Sequence, residues 1–173
     1  MVVVGTSGCG KSTLAARLSG PLRAPHIELD ALYWGPGWTP RPEAEFRRRI
    51  AEAIAGNRWI VDGNYGVARH LVWPQATAVV WLNYDFVTVM RRVIARTLRR
   101  SLRREPLYSD NRESLGRAIG TRESIVWWAL TTYARRRRNY GALRAERTYP
   151  QLCWVELRRP RDAEAWLASI APR

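Results

Sequence analysis

The chain has 173 residues, a formal charge of +14 and a mean hydropathy of -0.35, with 46% hydrophobic residues. That length suits one domain over residues 1–173 with a sizeable core, and no run approaches the roughly eighteen apolar residues that a membrane helix needs. Two cysteines exclude a disulfide framework, while twenty-eight arginines against a single lysine set up a field that attracts polyanions such as nucleotides and nucleic acid.

The first element is a short hydrophobic strand, Met1 to Val4, followed by GTSGCGKS over Gly5 to Ser12. This satisfies G-x-x-x-x-G-K-S with a strand before it and helical apolar spacing from Ser12 to Leu18 after it. Glycines there let the backbone turn tightly and aim N–H groups at a phosphate, and the following helix adds the positive end of its dipole. Lys11, the one lysine, reaches the β- and γ-phosphates as a compact charge, and the Ser12 hydroxyl is offered to magnesium. The nucleotide-binding set is Gly5, Gly8, Cys9, Gly10, Lys11, Ser12 and Thr13, with ATP and Mg2+ as the expected cofactors. A strand running straight into such a turn is unlike a signal peptide, so a reducing cytoplasm is the expected compartment.

A second strand is expected over Ala24 to Asp30, ending in an acid, and Gly, Pro and Trp in ALYWGPGWTPRP predict a loop over Ala31 to Pro42. Phe46, Ile50 and Ile54, spaced at four, predict a helix over Glu43 to Ala55. Trp59 to Asp62 reads as a third strand, again ending in an acid, and a short helical piece runs on to about Trp73. A fourth strand is expected over Thr77 to Leu82 and a long basic helix from Phe86 to about Arg100. The span 101–120 is polar and arginine-rich. A further helix is expected from about Arg122 to Arg138, then a fifth strand at Trp154 to Leu157 and a closing helix from Asp162 to Ile170. Strands alternating with helices predict an α/β fold around a parallel sheet, with ligands gathered at the carboxyl ends of its strands.

Asp30 and Asp62 therefore stand where a carboxylate can hold a magnesium-bound water or accept a proton from an attacking hydroxyl. The residues do not distinguish which serves metal and which serves acceptor. Between 91 and 144 lie fifteen arginines and four acids. Arg92 and Arg96, one helical turn apart, share a face and can neutralise charge developing on a transferred phosphoryl group. Arg99, Arg100, Arg103, Arg104, Arg112 and Arg117 follow into the arginine-rich span, and RRRR at 135–138 reads as a solvated helix end. Trp59, Trp81 and Trp154 are expected in the core. Trp34 and Trp38 stand open between stacking on a ligand and local packing. His26 and His70 have no ligand-like spacing with the cysteines, so no zinc site is expected.

The stretches GTSGCGKSTLA, IELDALYWGPGWTP, RWIVDGNYG, VVWLNYDFVTVMRRVIARTLRR and DNRESL together resemble the adenylate-kinase-like and shikimate-kinase-like P-loop kinases. Within these, the chain is most similar to the bacterial DNA topology modulation proteins, a group also described as adenylate-kinase-related. The resemblance implies a five-stranded parallel sheet, an acceptor-binding insertion over about 31–58 and an arginine-bearing lid over about 101–120. It aligns Lys11 and Ser12 with the family's loop lysine and magnesium-binding hydroxyl, and Asp62-Gly63 with the aspartate-glycine pair of adenylate kinases. Arg92 and Arg96 match the arginine pair at the lid base, and Asp30 matches the strand-two aspartate of shikimate-type kinases. Asn64-Tyr65-Gly66 departs from the Phe-Pro-Arg stretch that handles the acceptor phosphate in adenylate kinases. Asn83 stands where related fourth strands often carry an acid. The function implied is transfer of the γ-phosphoryl of ATP to a small acceptor such as a nucleoside monophosphate. The alternative is an ATP-binding nucleic-acid factor whose basic surface makes salt-sensitive backbone contacts.

Overall fold

The computed structural model describes residues 1–103, 108 and 124–170. Five strands form one sheet in the order β2-β3-β1-β4-β5: β1 (Val2–Gly5), β2 (His26–Glu28), β3 (Ile60–Asp62), β4 (Ala78–Leu82) and β5 (Cys153–Leu157). All four pairings are parallel, with Val3 opposite Asp62 and Val80, and Glu28 opposite Asp62. Parallel strands need crossovers, and helices supply them: α1 (Lys11–Leu22), α2 (Leu29–Tyr33), α3 (Glu43–Ala53), α4 (Gly66–Val72), α5 (Phe86–Arg103), α6 (Ile125–Ala145) and α7 (Pro160–Ile170).

Alternation along the strands divides the core in two. Val2, Val4, Val61, Val79 and Trp81 face one side and pack with Phe46 and Ile50 of α3, Val72 of α4 and Tyr140 of α6. Val3, Ile60, Val80 and Leu82 face the other and pack with Leu14 and Leu18 of α1, Val89 of α5 and Leu167 of α7. Near-continuous Val/Ile runs are what a sheet covered on both faces requires. Trp59 and Trp81 are buried, and the half-buried Trp154 packs on the first cluster, as the sequence predicts.

Local chemistry starts the helices. The Asp85 carboxylate accepts from the Thr88 backbone N–H at 2.9 Å to open α5, and Ser124 Oγ accepts from the Trp127 N–H at 3.0 Å to open α6. No helix among the described residues is long and apolar enough to cross a membrane.

Several boundaries differ from the sequence reading. The second strand ends at Glu28, and Leu29 and Asp30 already belong to the first turn of α2. Asp30 is therefore a helix residue beyond the strand rather than its last member. The segment read as a loop contains the end of α2 and a 3-10 turn at Pro36–Trp38, closed by a Trp34–Pro40 bridge and a 2.8 Å bond from the Gly35 N–H to the Thr39 carbonyl. Tertiary contact overrides the breakers there, because Tyr33 is held edge-on to Phe46. The helix read as ending at Arg138 continues to Ala145, so RRRR sits mid-helix. Most of the arginine-rich span, including Arg104, Arg112 and Arg117, lies outside the described residues, as does the side chain of Arg103.

Candidate active site

Strand β1 lies between β3 and β4, where the crossovers reverse direction, so its carboxyl end opens at the switch point of the sheet. The glycine-rich loop starts there. Gly5, Gly8 and Gly10 have φ of 148°, 84° and 102°, values that side-chain-bearing residues rarely adopt. At Gly8 there is no room either, since a Cβ would lie 2.6 Å from Val93 Cβ of α5. The helix that follows has Gly10 as N-cap and no side-chain cap, so its first-turn N–H groups face the loop cradle unblocked by the chain's own side chains. Lys11 Nζ, at the first helical position, donates to the Thr6 carbonyl across the loop at 3.4 Å.

Cationic groups close on this loop from α5. Arg92 Nη1 donates to the Cys9 carbonyl at 3.0 Å, and its guanidinium lies 5.4 Å from the Tyr84 ring. Cys9 is fully buried, and burial pushes its thiol up, opposed by the charges of Lys11, Arg96 and Arg92. Burial likewise pushes the Tyr84 hydroxyl up to about 12. Lys11 from the loop and Arg92 and Arg96 from α5 thus act on one buried sulfur.

The acids gather on the β2–β3 side. Asp62, almost fully buried at the end of β3, pairs with His26 through Oδ2 and Nε2 at 2.7 Å. The hydrogen bond that His26 donates to Asp62 raises the imidazole pKa above its ordinary value, against the effect of burial. Asp30 accepts from the Tyr65 hydroxyl at 2.6 Å, and Glu28 accepts from the Tyr108 hydroxyl at 2.5 Å. Burial, the Glu28 bond and the charges of Asp30 and Asp62 all push the Tyr108 hydroxyl up. Three carboxylates therefore converge near one phenol. Sequence pattern carries the second strand two residues too far, to Asp30, and so passes over Glu28. Its register opposite Asp62 is the signal that finds it.

Asn64 also escapes sequence reasoning. Its Nδ2 donates to the Gly5 carbonyl at 2.7 Å, and its Oδ1 accepts from the buried Tyr140 hydroxyl at 2.7 Å. Asn64 thus ties the glycine-rich loop to α6.

Beside Tyr65, a cavity of about 340 Å³ is lined by Tyr33, Phe46, Val67 and Arg41. Trp34 and Trp38 pack edge-to-face, 5.7 Å apart, outside its lining. A second cavity, of about 240 Å³, lies between Asn64, Arg69 of α4 and Arg135 and Arg136 of α6. Among the described residues no group of three or more His, Cys, Asp or Glu side chains is arranged to hold a metal ion. Ser12 and Asp62 carry hard oxygen donors of the kind magnesium prefers.

Comparison with known structures decides the fold. A gluconokinase from Sinorhizobium meliloti 1021 superposes with a TM-score of 0.52 and 21% identity over 98% of this chain and 91% of that one. The shikimate kinase from Bacteroides thetaiotaomicron does so with a TM-score of 0.51 and 15% identity over 98% and 94%. The fold is the one these two kinases share, a five-stranded parallel sheet flanked by helices. No protein-family model matches the chain. In sequence it is 36% identical over 63 residues to the Bacillus subtilis (strain 168) protein described as "Uncharacterized protein YqaC", a match covering 35% of each chain.

Proposed function

We propose that the chain is an ATP- and magnesium-dependent phosphotransferase that moves a γ-phosphoryl group to a small polar or phosphorylated acceptor, with a nucleoside monophosphate the first to test. The observation that carries this reading is the loop itself. Three glycines at positive φ, an uncapped helix N-terminus and Lys11 form one cradle, with Arg92 bonded to its backbone.

In this reading the loop amides and Lys11 bind donor phosphates, and Ser12 and Asp62 hold the metal. Bound magnesium would supply positive charge to the β- and γ-phosphate oxygens. Arg92 and Arg96 add charge from α5, where the transferred group spreads negative charge over its equatorial oxygens. Asp30, held by Tyr65, stands on the acceptor side, where a carboxylate can take the proton of an attacking hydroxyl. The aromatic cavity beside Tyr65 favours an acceptor with an apolar or planar body, and the segment over about 31–58 forms part of its wall.

Titration calorimetry with ATP, and transfer from radiolabelled ATP to a panel of nucleoside monophosphates, sugar acids and shikimate-like polyols, test this. Lys11→Ala should lower ATP affinity and nearly abolish transfer while circular dichroism stays unchanged. Unaltered affinity and turnover in the folded variant refute the assignment. Turnover of no acceptor, together with ATP-dependent affinity for DNA, replaces it with the nucleic-acid factor.

A further inference from the structure

Arg135 to Arg138 make the densest charge in the chain, and their mid-helix position gives two of them something to line. Arg135 and Arg136 border the 240 Å³ cavity with Arg69 of α4, Asn64, Trp128 and Tyr140. Three guanidiniums face it, and no Asp or Glu lines it. Among the described residues none of the three has a carboxylate partner. Arg136 Nε is buried without a hydrogen-bond partner among those residues.

Arg135 is exposed, whereas Arg69 and Arg136 are half-buried; like charges gathered in a concave space repel, and an unsatisfied buried donor loses its hydration, so the arrangement is costly unless something answers it. Two of the three are nonetheless held in place by aromatic faces. Arg136 lies 5.9 Å from the Trp128 ring centroid and Arg69 lies 5.8 Å from that of Trp73. A cation on an aromatic plane keeps its donor edge directed sideways, toward whatever occupies the space beside it. Guanidinium edges match the paired oxygens of an oxyanion. Three positive charges balance a dianion better than a single carboxylate. A cavity of about 240 Å³ has room for a phosphate group. Asn64, in its lining, donates to the Gly5 carbonyl at the start of the glycine-rich loop.

We propose that this cavity is a second anion site, in which Arg69, Arg135 and Arg136 seat the phosphate monoester of the acceptor. The assignment rests on the phosphotransferase reading for the word acceptor, but the anion site itself stands on the cavity. The positive charge of the site comes from α4 and from the middle of α6.

The test fills the phosphate loop first. With magnesium and a non-hydrolysable ATP analogue bound, inorganic phosphate is titrated calorimetrically at constant ionic strength, with acetate as the carboxylate control. One phosphate per chain should bind in preference to acetate. Arg69→Ala and Arg135→Ala should each weaken it by roughly tenfold or more, consistent with loss of a charge-assisted contact, while analogue affinity stays within about twofold. Absence of phosphate binding, equal binding of acetate, or binding indifferent to both substitutions overturns the proposal. If the analogue itself fails to bind, the phosphotransferase reading fails separately. The phosphate titration is then run on Lys11→Ala, where an arginine-dependent site supports the cavity and its absence overturns it.

Discussion

Replacing Gly8 by alanine tests the loop conformation on which the functional reading depends. The residue has φ of 84°, and the added Cβ would sit 2.6 Å from Val93 Cβ and 3.0 Å from Val93 Cα. The left-handed conformation costs a side-chain-bearing residue about 1–2 kcal/mol. Forcing a methyl into a closed contact costs about 1–3 kcal/mol more, because the obstacle is the root of a side chain on α5 and cannot rotate away. The sum, about 2–5 kcal/mol, corresponds to a fall in Tm of roughly 5–15 °C for a chain of this size. Gly141 supplies the control, since it lies inside α6 outside the left-handed region with nothing within 4 Å of a Cβ. Alanine there should stabilise by about 0.5–1 kcal/mol through helix propensity. Differential scanning calorimetry reads both variants, and titration with an ATP analogue reads whether Gly8→Ala also loses nucleotide. A Gly8→Ala chain that melts within a degree of the parent and binds the analogue unchanged refutes the loop geometry.

Asn64→Ala should destabilise by roughly 2–4 kcal/mol in chemical denaturation, because it strands the Gly5 carbonyl and the buried Tyr140 hydroxyl. The Asn64→Ala, Tyr140→Phe double variant should lose less than the sum of the two single variants, and strict additivity would break the proposed tie. His26, its pKa raised by Asp62, contributes stability that is fully present below its unfolded value of 6.5 and lost as pH rises through its higher folded value. Melting curves across that window should show this decline in the parent and not in His26→Asn, and identical profiles would remove the pair. Cys9 is buried with a raised thiol pKa while Cys153 is exposed, so a thiol reagent under native conditions should label Cys153 alone. Rapid labelling of Cys9, read by peptide mass spectrometry, contradicts the packing beneath the loop.

The conformation of the glycine-rich loop was legible in sequence because its constraints are local. Gly5 to Ser12 constrain one another over a few bonds, and their glycines stand at the positions where the backbone is left-handed. The five strands were legible for a similar reason, since a sheet covered on both faces demands short apolar runs between helical periods. The identity of the acid ending β2 was not. Drawing the strand to Asp30 follows its pattern, but pairing with β3 ends at Glu28, and hydrogen-bond register is set by the neighbouring strand rather than by the segment itself. Partnership across the fold was equally beyond sequence: His26 with Asp62, Asn64 with Gly5 and Tyr140, and Arg92 with the Cys9 carbonyl all join residues more than thirty positions apart. The four arginines at 135–138 show the same limit from the other side. Composition presents them as a solvated charge run, and only the placement of α6 beside Asn64 and Arg69 turns two of them into the wall of a cavity. Residue type declares what a side chain can do with its neighbours. Which neighbours it has is decided by long-range burial, where strands and helices distant in the chain must share one apolar interior.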